Sequence, residues 1–84
     1  MSGEYDFVLS GAAVRSLLGA PNPTRRRAEH LIESLAANPF REPDFRETGP
    51  SGRVYSVIVE ADVVHAFWVD HAGKELRILR VEFV

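Results

Sequence analysis

Eighty-four residues, 45% of them hydrophobic, predict one small domain over 1–84 with a thin core, too apolar to stay disordered. Ten Lys and Arg against twelve Asp and Glu leave a net charge of −2, which excludes a simple cationic nucleic-acid binder, and the absence of Cys excludes disulfides and thiolate zinc sites. No apolar run approaches the roughly 20 residues of a membrane span. The start, Met1-Ser2-Gly3-Glu4-Tyr5-Asp6, is acidic where a secretory signal is basic, so a cytoplasmic chain with no membrane association is expected.

Tyr5, Phe7 and Leu9 alternate with Asp6 and Val8, which predicts a half-buried strand over 5–9. Ser10 reads as an N-cap whose hydroxyl accepts from a free amide of the next turn. A helix over 11–18 then carries Val14, Leu17 and Leu18 on one face, with Gly19 just past its end. Ala20-Pro21-Asn22-Pro23 is a connector. Ala28, Leu31, Ile32, Leu35 and Ala36 follow i, i+3, i+4, i+7, i+8 and predict a second helix with one core-facing stripe. Asn22-Pro23 or Thr24 starts it, Asn38-Pro39 ends it, and Arg25 and Glu29 are spaced for an ion pair. The short link between the helices predicts an antiparallel αα-hairpin. Arg25-Arg26-Arg27 opposes the helix dipole. A solvated first turn is the simpler reading, and the triplet leaves room for an anionic partner.

A short strand around 44–48, closed by Gly49-Pro50-Ser51-Gly52, precedes strands over 53–60, 63–70 and 75–84, rich in Val, Ile, Phe and Trp. The predicted architecture is α+β in two layers: an N-terminal strand, an αα-hairpin, then three or four antiparallel strands under the helices. A two-residue turn at Ala61-Asp62 pairs Val59 with Val64, Val57 with Ala66 and Tyr55 with Trp68. A four-residue turn at 71–74 pairs Ala66 with Leu79 and Val64 with Val81. Tyr55, Val57, Val59, Val64, Ala66, Trp68, Leu79, Val81 and Phe83 then form the core under the helices. The opposite face carries His65 directly across from Arg80, near Ser56 and Phe67, among further apolar residues. That face is expected to be a dimer interface or a site around His65 and Arg80.

His30, His65 and His71 lack ligand spacing, so no metal is expected. Neither a phosphate-cradling glycine loop nor a nucleophile elbow is present, and no cofactor is expected. Arg46, Arg53, His65, His71, Lys74, Arg77 and Arg80 lie on or beside the sheet, with Arg77 expected to pack on Trp68 at a rim. Guanidinium groups grip phosphate and stabilise charge that builds on phosphorus, while a His near neutral pKa exchanges a proton. Together they suffice for RNA cleavage in which a 2′-hydroxyl attacks its own phosphate, with His65 and Arg80 in the catalytic pair and Lys74 and Arg77 holding RNA.

The order β-α-α-β-β-β in this length resembles the RelE/ParE superfamily of type II toxins. Tyr5-Asp6-Phe7-Val8-Leu9-Ser10 resembles its first strand and cap, residues 25–40 its second helix with an Asn-Pro-like stop, and Gly52-Arg53-Val54-Tyr55-Ser56-Val57-Ile58-Val59 its central strand. The resemblance implies a toxin neutralised by a cognate antitoxin, and a ribosome-dependent, metal-independent endoribonuclease acting on mRNA. A DNA gyrase inhibitor, or a catalytically silent binding or homodimerising module, is the alternative. It also implies that Arg53 contacts the scissile phosphate and that Arg46 is an RNA contact on the preceding strand. The chain departs from the family at Asp44, where a second basic residue is common, and at Val81-Glu82-Phe83-Val84, where many members carry a late Tyr or His. Register puts Arg53 on the helix side, whereas the resemblance puts it in the site.

Overall fold

In chain order the elements are β1 (Asp6–Leu9), α1 (Gly11–Leu18), α2 (Asn22–Ala37), β2 (Phe45–Thr48), β3 (Val54–Glu60), β4 (Val63–Asp70) and β5 (Glu75–Phe83). The computed structural model describes residues 5–60 and 62–84; the acidic start at 1–4 and Ala61 of the expected hairpin turn lie outside them. The strands make one five-stranded sheet in the order β1-β5-β4-β3-β2. The chain thus adopts the α+β arrangement that its patterning predicts. One pairing was not foreseen: β1 runs parallel to β5, Asp6 to Leu9 beside Glu75 to Ile78, while every other pair is antiparallel. No helix among the described residues is long and apolar enough to cross a membrane.

The stripe of α2 is buried as its spacing predicts, through Ala28, Leu31, Ile32, Leu35 and Ala36. In its first turn, Arg25 donates to the Asn22 side chain at 2.7 Å and makes no ion pair with Glu29. The short helix α1 turns a different face inward from the one expected. Ala13 and Leu17 are buried, whereas Val14 and Leu18 are exposed. Close approach of α1 to the sheet suits the small Ala13, and of the two apolar i, i+4 pairs it is Ala13 with Leu17, not Val14 with Leu18, that turns inward.

Two expectations about the sheet are corrected. The β3–β4 register is the predicted one, Val57 opposite Ala66 and Val59 opposite Val64. The helices, however, cover the other face: Ile58, Val63, Phe67, Leu76, Ile78 and Val81 pack with the apolar stripes of α1 and α2. Both faces of these strands are apolar enough to serve as a core, and treating His65 as a surface residue points to the wrong one. His65 is 0% exposed.

The second correction concerns β5. Its first half keeps the predicted register, Phe67 opposite Ile78 and Trp68 opposite Arg77. A bulge then intervenes, so that Ala66 faces Arg80 and His65 faces Val81. The extra residue returns Val81 to the helix side and turns Arg80 away from it. His65 and Arg80 therefore lie on opposite faces of the sheet.

Ser10 ties this irregularity to α1. Its hydroxyl accepts from the Ala13 amide at 3.1 Å, capping the helix, and donates to the Leu79 carbonyl at 2.7 Å. Its own N–H donates to Ile78 O at 2.9 Å. One serine thus satisfies a helix amide and a bulge carbonyl that the ladder leaves free. Ser10→Ala is expected to cost about 1–2 kcal/mol, several degrees in Tm, with Ser10→Thr recovering most of it. Thermal melts of the two variants check this.

Candidate functional site on the open face of the sheet

Alternation along the strands fills the face that the helices leave open. Across the sheet, Val8, Arg77 and Trp68 form one row, extended by Tyr55 and Glu47, and Arg80, Ala66, Val57 and Phe45 form the next. Val57 and Ala66 are buried there by their neighbours, while Phe45, Val59 and Val8 remain exposed.

Trp68 is the centre of this surface. The Arg53 guanidinium carbon lies 4.1 Å from its ring centroid and that of Arg77 lies 5.5 Å away. Two cations therefore share one indole, an arrangement in which each is drawn to the ring quadrupole while repelling the other. The β2–β3 turn positions Arg53. Gly52 adopts φ +86°, the Gly52 amide donates to Gly49 O at 3.0 Å, and the Gly49 amide donates to Arg53 O at 2.8 Å. A Cβ on Gly49 would sit 2.5 Å from the Tyr55 ring, so the turn closes over Tyr55 because it has none.

Carboxylates offset part of this charge. Arg77 donates to Glu75 at 2.7 Å, and Arg80 to Glu47 at 2.8 Å and also to Glu82. These pairs are partly exposed and individually weak. Arg53 makes no ion pair among the described residues. Arg77 Nε is buried with no hydrogen-bond partner, a donor left free on the face that carries Trp68. An oxyanion at this spot would satisfy that donor and neutralise the cation pair.

The residues singled out from the sequence divide accordingly. Arg53, Arg77 and Arg80 share the open face, and Arg77 packs on Trp68 as expected. His65 does not join them. Its Nε2 lies 3.2 Å from the Ala28 carbonyl of α2, so that nitrogen carries the hydrogen and donates it. Burial pushes its pKa below the ordinary value, outweighing the hydrogen bond to Ala28 and the Glu60 carboxylate, which both raise it.

Arg46 pairs with Ser56 and so lies on the helix side, yet it lines a groove beyond the end of α2 that Phe40, His71, Arg53 and Trp68 line as well. His71 stacks on Phe40 at 4.8 Å and hydrogen-bonds the Tyr5 hydroxyl at 3.0 Å. Lys74 holds the β4–β5 turn with φ +54° and accepts from Asp6 N. Asp44 accepts from the Val59 amide at 2.7 Å, which extends the hold of the β2 edge on β3. No group of three His, Asp or Glu among the described residues could hold a metal ion. Tyr55, Glu47 and Trp68 are members of the open face that sequence reasoning did not assign to a site. Their shared alternation with Arg53 was the available signal.

No protein-family model matches the chain, and no curated protein is similar to it in sequence. Solved structures are similar in fold. A chain of the RelBE2 toxin–antitoxin complex of Mycobacterium tuberculosis superimposes with a TM-score of 0.78 at 16% identity, over 96% of this chain and 99% of that one. A chain of the archaeal RelE–RelB complex of Pyrococcus horikoshii OT3 gives 0.75 at 17%, over 95% and 94%. A chain of the intact Escherichia coli RelBE toxin–antitoxin complex gives 0.77 at 11%, over 95% and 96%. The chain has the RelE-like fold. At these identities the likeness is one of architecture.

Proposed function

We propose that this chain is the toxin of a toxin–antitoxin pair and that its open sheet face binds and cleaves RNA. The observation that carries this reading is Trp68 held beside Arg53 and Arg77 on an uncovered sheet, with Arg77 Nε free. An indole gives a base a stacking surface, and the flanking guanidiniums grip the adjoining phosphate. The reaction suited to such a face is internal transesterification. The 2′-oxygen forms a bond to phosphorus, the bond to the 5′-oxygen breaks, and the arginines stabilise the charge gathered on the phosphorane. Tyr55 and Glu47 are the proton-exchanging groups in the row of Trp68, and Glu47 is held by Arg80. His65 is left out of this set.

The similar structures are toxin–antitoxin complexes, which supports a cognate antitoxin as partner. The exposed Phe45, Val59 and Val8 give such a partner apolar surface to cover. The substrate in this reading is translated mRNA on the ribosome, in the cytoplasm. One observation favours a binding-only role, as a gyrase inhibitor or a silent module: Arg77 and Arg80 already have carboxylate partners.

Expression of the chain without an antitoxin is the test. Growth arrest with new cleavage sites inside translated messages is the expected result. Arrest with intact messages and inhibited supercoiling by purified gyrase transfers the reading to gyrase. A harmless chain sinks it.

A further inference from the structure

A second basic site lies on the other side of the molecule, and it stands whatever the open face does. Between α2 and the β3–β4 hairpin is a groove of about 640 Å³. Helix α2 lines it with Arg26, His30 and Ser34, spaced four residues apart on one helix face, and with Arg27. Arg41 and Glu60 line its rim, 3.6 Å apart, and His65 belongs to its wall. Three arginines thus face one carboxylate. Neither Arg26 nor Arg27 has an ion-pair partner among the described residues, and the first turn of α2 contains no acidic side chain.

The second observation is His65 itself. It is 0% exposed, and its Nδ1 has no hydrogen-bond partner. Its Nε2 hydrogen is committed to the Ala28 carbonyl, so in the neutral ring Nδ1 is a lone pair in want of a donor. The groove therefore asks two things of a ligand: negative oxygens for the arginines and one O–H for Nδ1. A carboxylate has no such hydrogen, nor has sulfate at neutral pH. Hydrogenphosphate and a singly protonated phosphomonoester have both.

We propose that this groove binds a phosphate-class oxyanion that retains a proton, with Arg26, Arg27 and Arg41 on its oxygens and its O–H donated to His65 Nδ1. The charged and titratable groups around the ligand are Arg26, Arg27 and His30 from α2, Arg41 from the loop, and Glu60 and His65 from the hairpin. Arg41 is drawn from Glu60 to the ligand.

The test is a titration of the 15N-labelled chain, reading the His65 ring nitrogens by NMR near neutral pH. Inorganic phosphate is expected to shift Nδ1 saturably at millimolar concentration. Sodium sulfate at equal ionic strength is expected to bind about tenfold more weakly, the worth of one charge-assisted hydrogen bond. Arg27→Gln, on an exposed helix position, is expected to weaken phosphate by about the same factor without unfolding the chain. Adenosine 5′-monophosphate, titrated near its second pKa of about 6, distinguishes the source. Tighter binding than phosphate assigns the groove to nucleotide or RNA-end monoesters, and equal binding assigns it to free phosphate. A His65 signal unmoved by phosphate, or moved equally by sulfate, overturns the proposal.

Discussion

Arg53→Ala is expected to slow the proposed RNA cleavage about 10²–10³-fold, the usual loss when one preorganised donor to a developing oxyanion is removed. Its guanidinium carbon sits 4.1 Å from the Trp68 ring centroid, and no carboxylate among the described residues pairs with it. A phosphate therefore meets it with no ion pair to break. The residue is exposed, so the variant should fold as the parent does. Arg53→Lys is expected to recover little, because an ammonium neither stacks on indole nor offers a planar pair of donors. Trp68→Ala should act differently, weakening RNA binding by about 1–3 kcal/mol through the lost stacking. Cleavage rates in a reconstituted translation reaction, with circular dichroism as the folding control, measure all three. Parental activity in Arg53→Ala would remove the open face from consideration as the site.

His65→Asp is expected to leave the chain unfolded near neutral pH. A carboxylate in that place would be buried against the Ala28 carbonyl oxygen, acceptor against acceptor, at a cost of several kcal/mol. A domain of this length holds on the order of 5–10 kcal/mol in all. His65→Gln keeps a neutral donor toward Ala28 and is expected to fold. The wild-type chain should also weaken in acid for the same reason. Burial lowers the pKa of His65 in the folded state, so between the folded pKa and the unfolded value near 6.5 the unfolded chain binds more protons. Stability from this group is therefore complete above about pH 6.5 and falls as pH drops below it, by at most about 1.4 kcal/mol per unit. Urea midpoints across a pH series should show this slope in the wild type and a flatter one in His65→Gln.

His65 also explains where the sequence stops being informative. The α2 stripe was legible because five apolar residues at helical spacing admit one orientation. The β3–β4 register was legible because a two-residue connection admits few pairings. Face choice was not. Tyr55, Val57 and Trp68 on one side and Ile58, Phe67 and Ile78 on the other are equally apolar, and a polar ring satisfied by a helix carbonyl looks in sequence like a surface ring. The bulge at Leu79 was invisible for another reason, since the hydroxyl that holds it comes from Ser10, sixty-nine residues away. Grouping Arg53 with Tyr55 and Trp68 needed only alternation; knowing that this group faces outward needed the helices.

The parallel pairing of β1 with β5 has a consequence for how the chain comes into being. β5 is synthesised after every other element described here, yet β1, β4 and the core stripes of both helices all rest on it. Until it emerges, β1 has no partner strand and α1 lacks the sheet strand on which it mainly packs. The helices complete their packing only with β5, and contacts between the earliest and latest segments make closure slow. The arginine-flanked tryptophan is then assembled only after Trp68 and Arg53 have been made, when Arg77 arrives on β5. A nascent chain that lacks β5 therefore lacks the open-face arrangement of Arg53, Trp68 and Arg77.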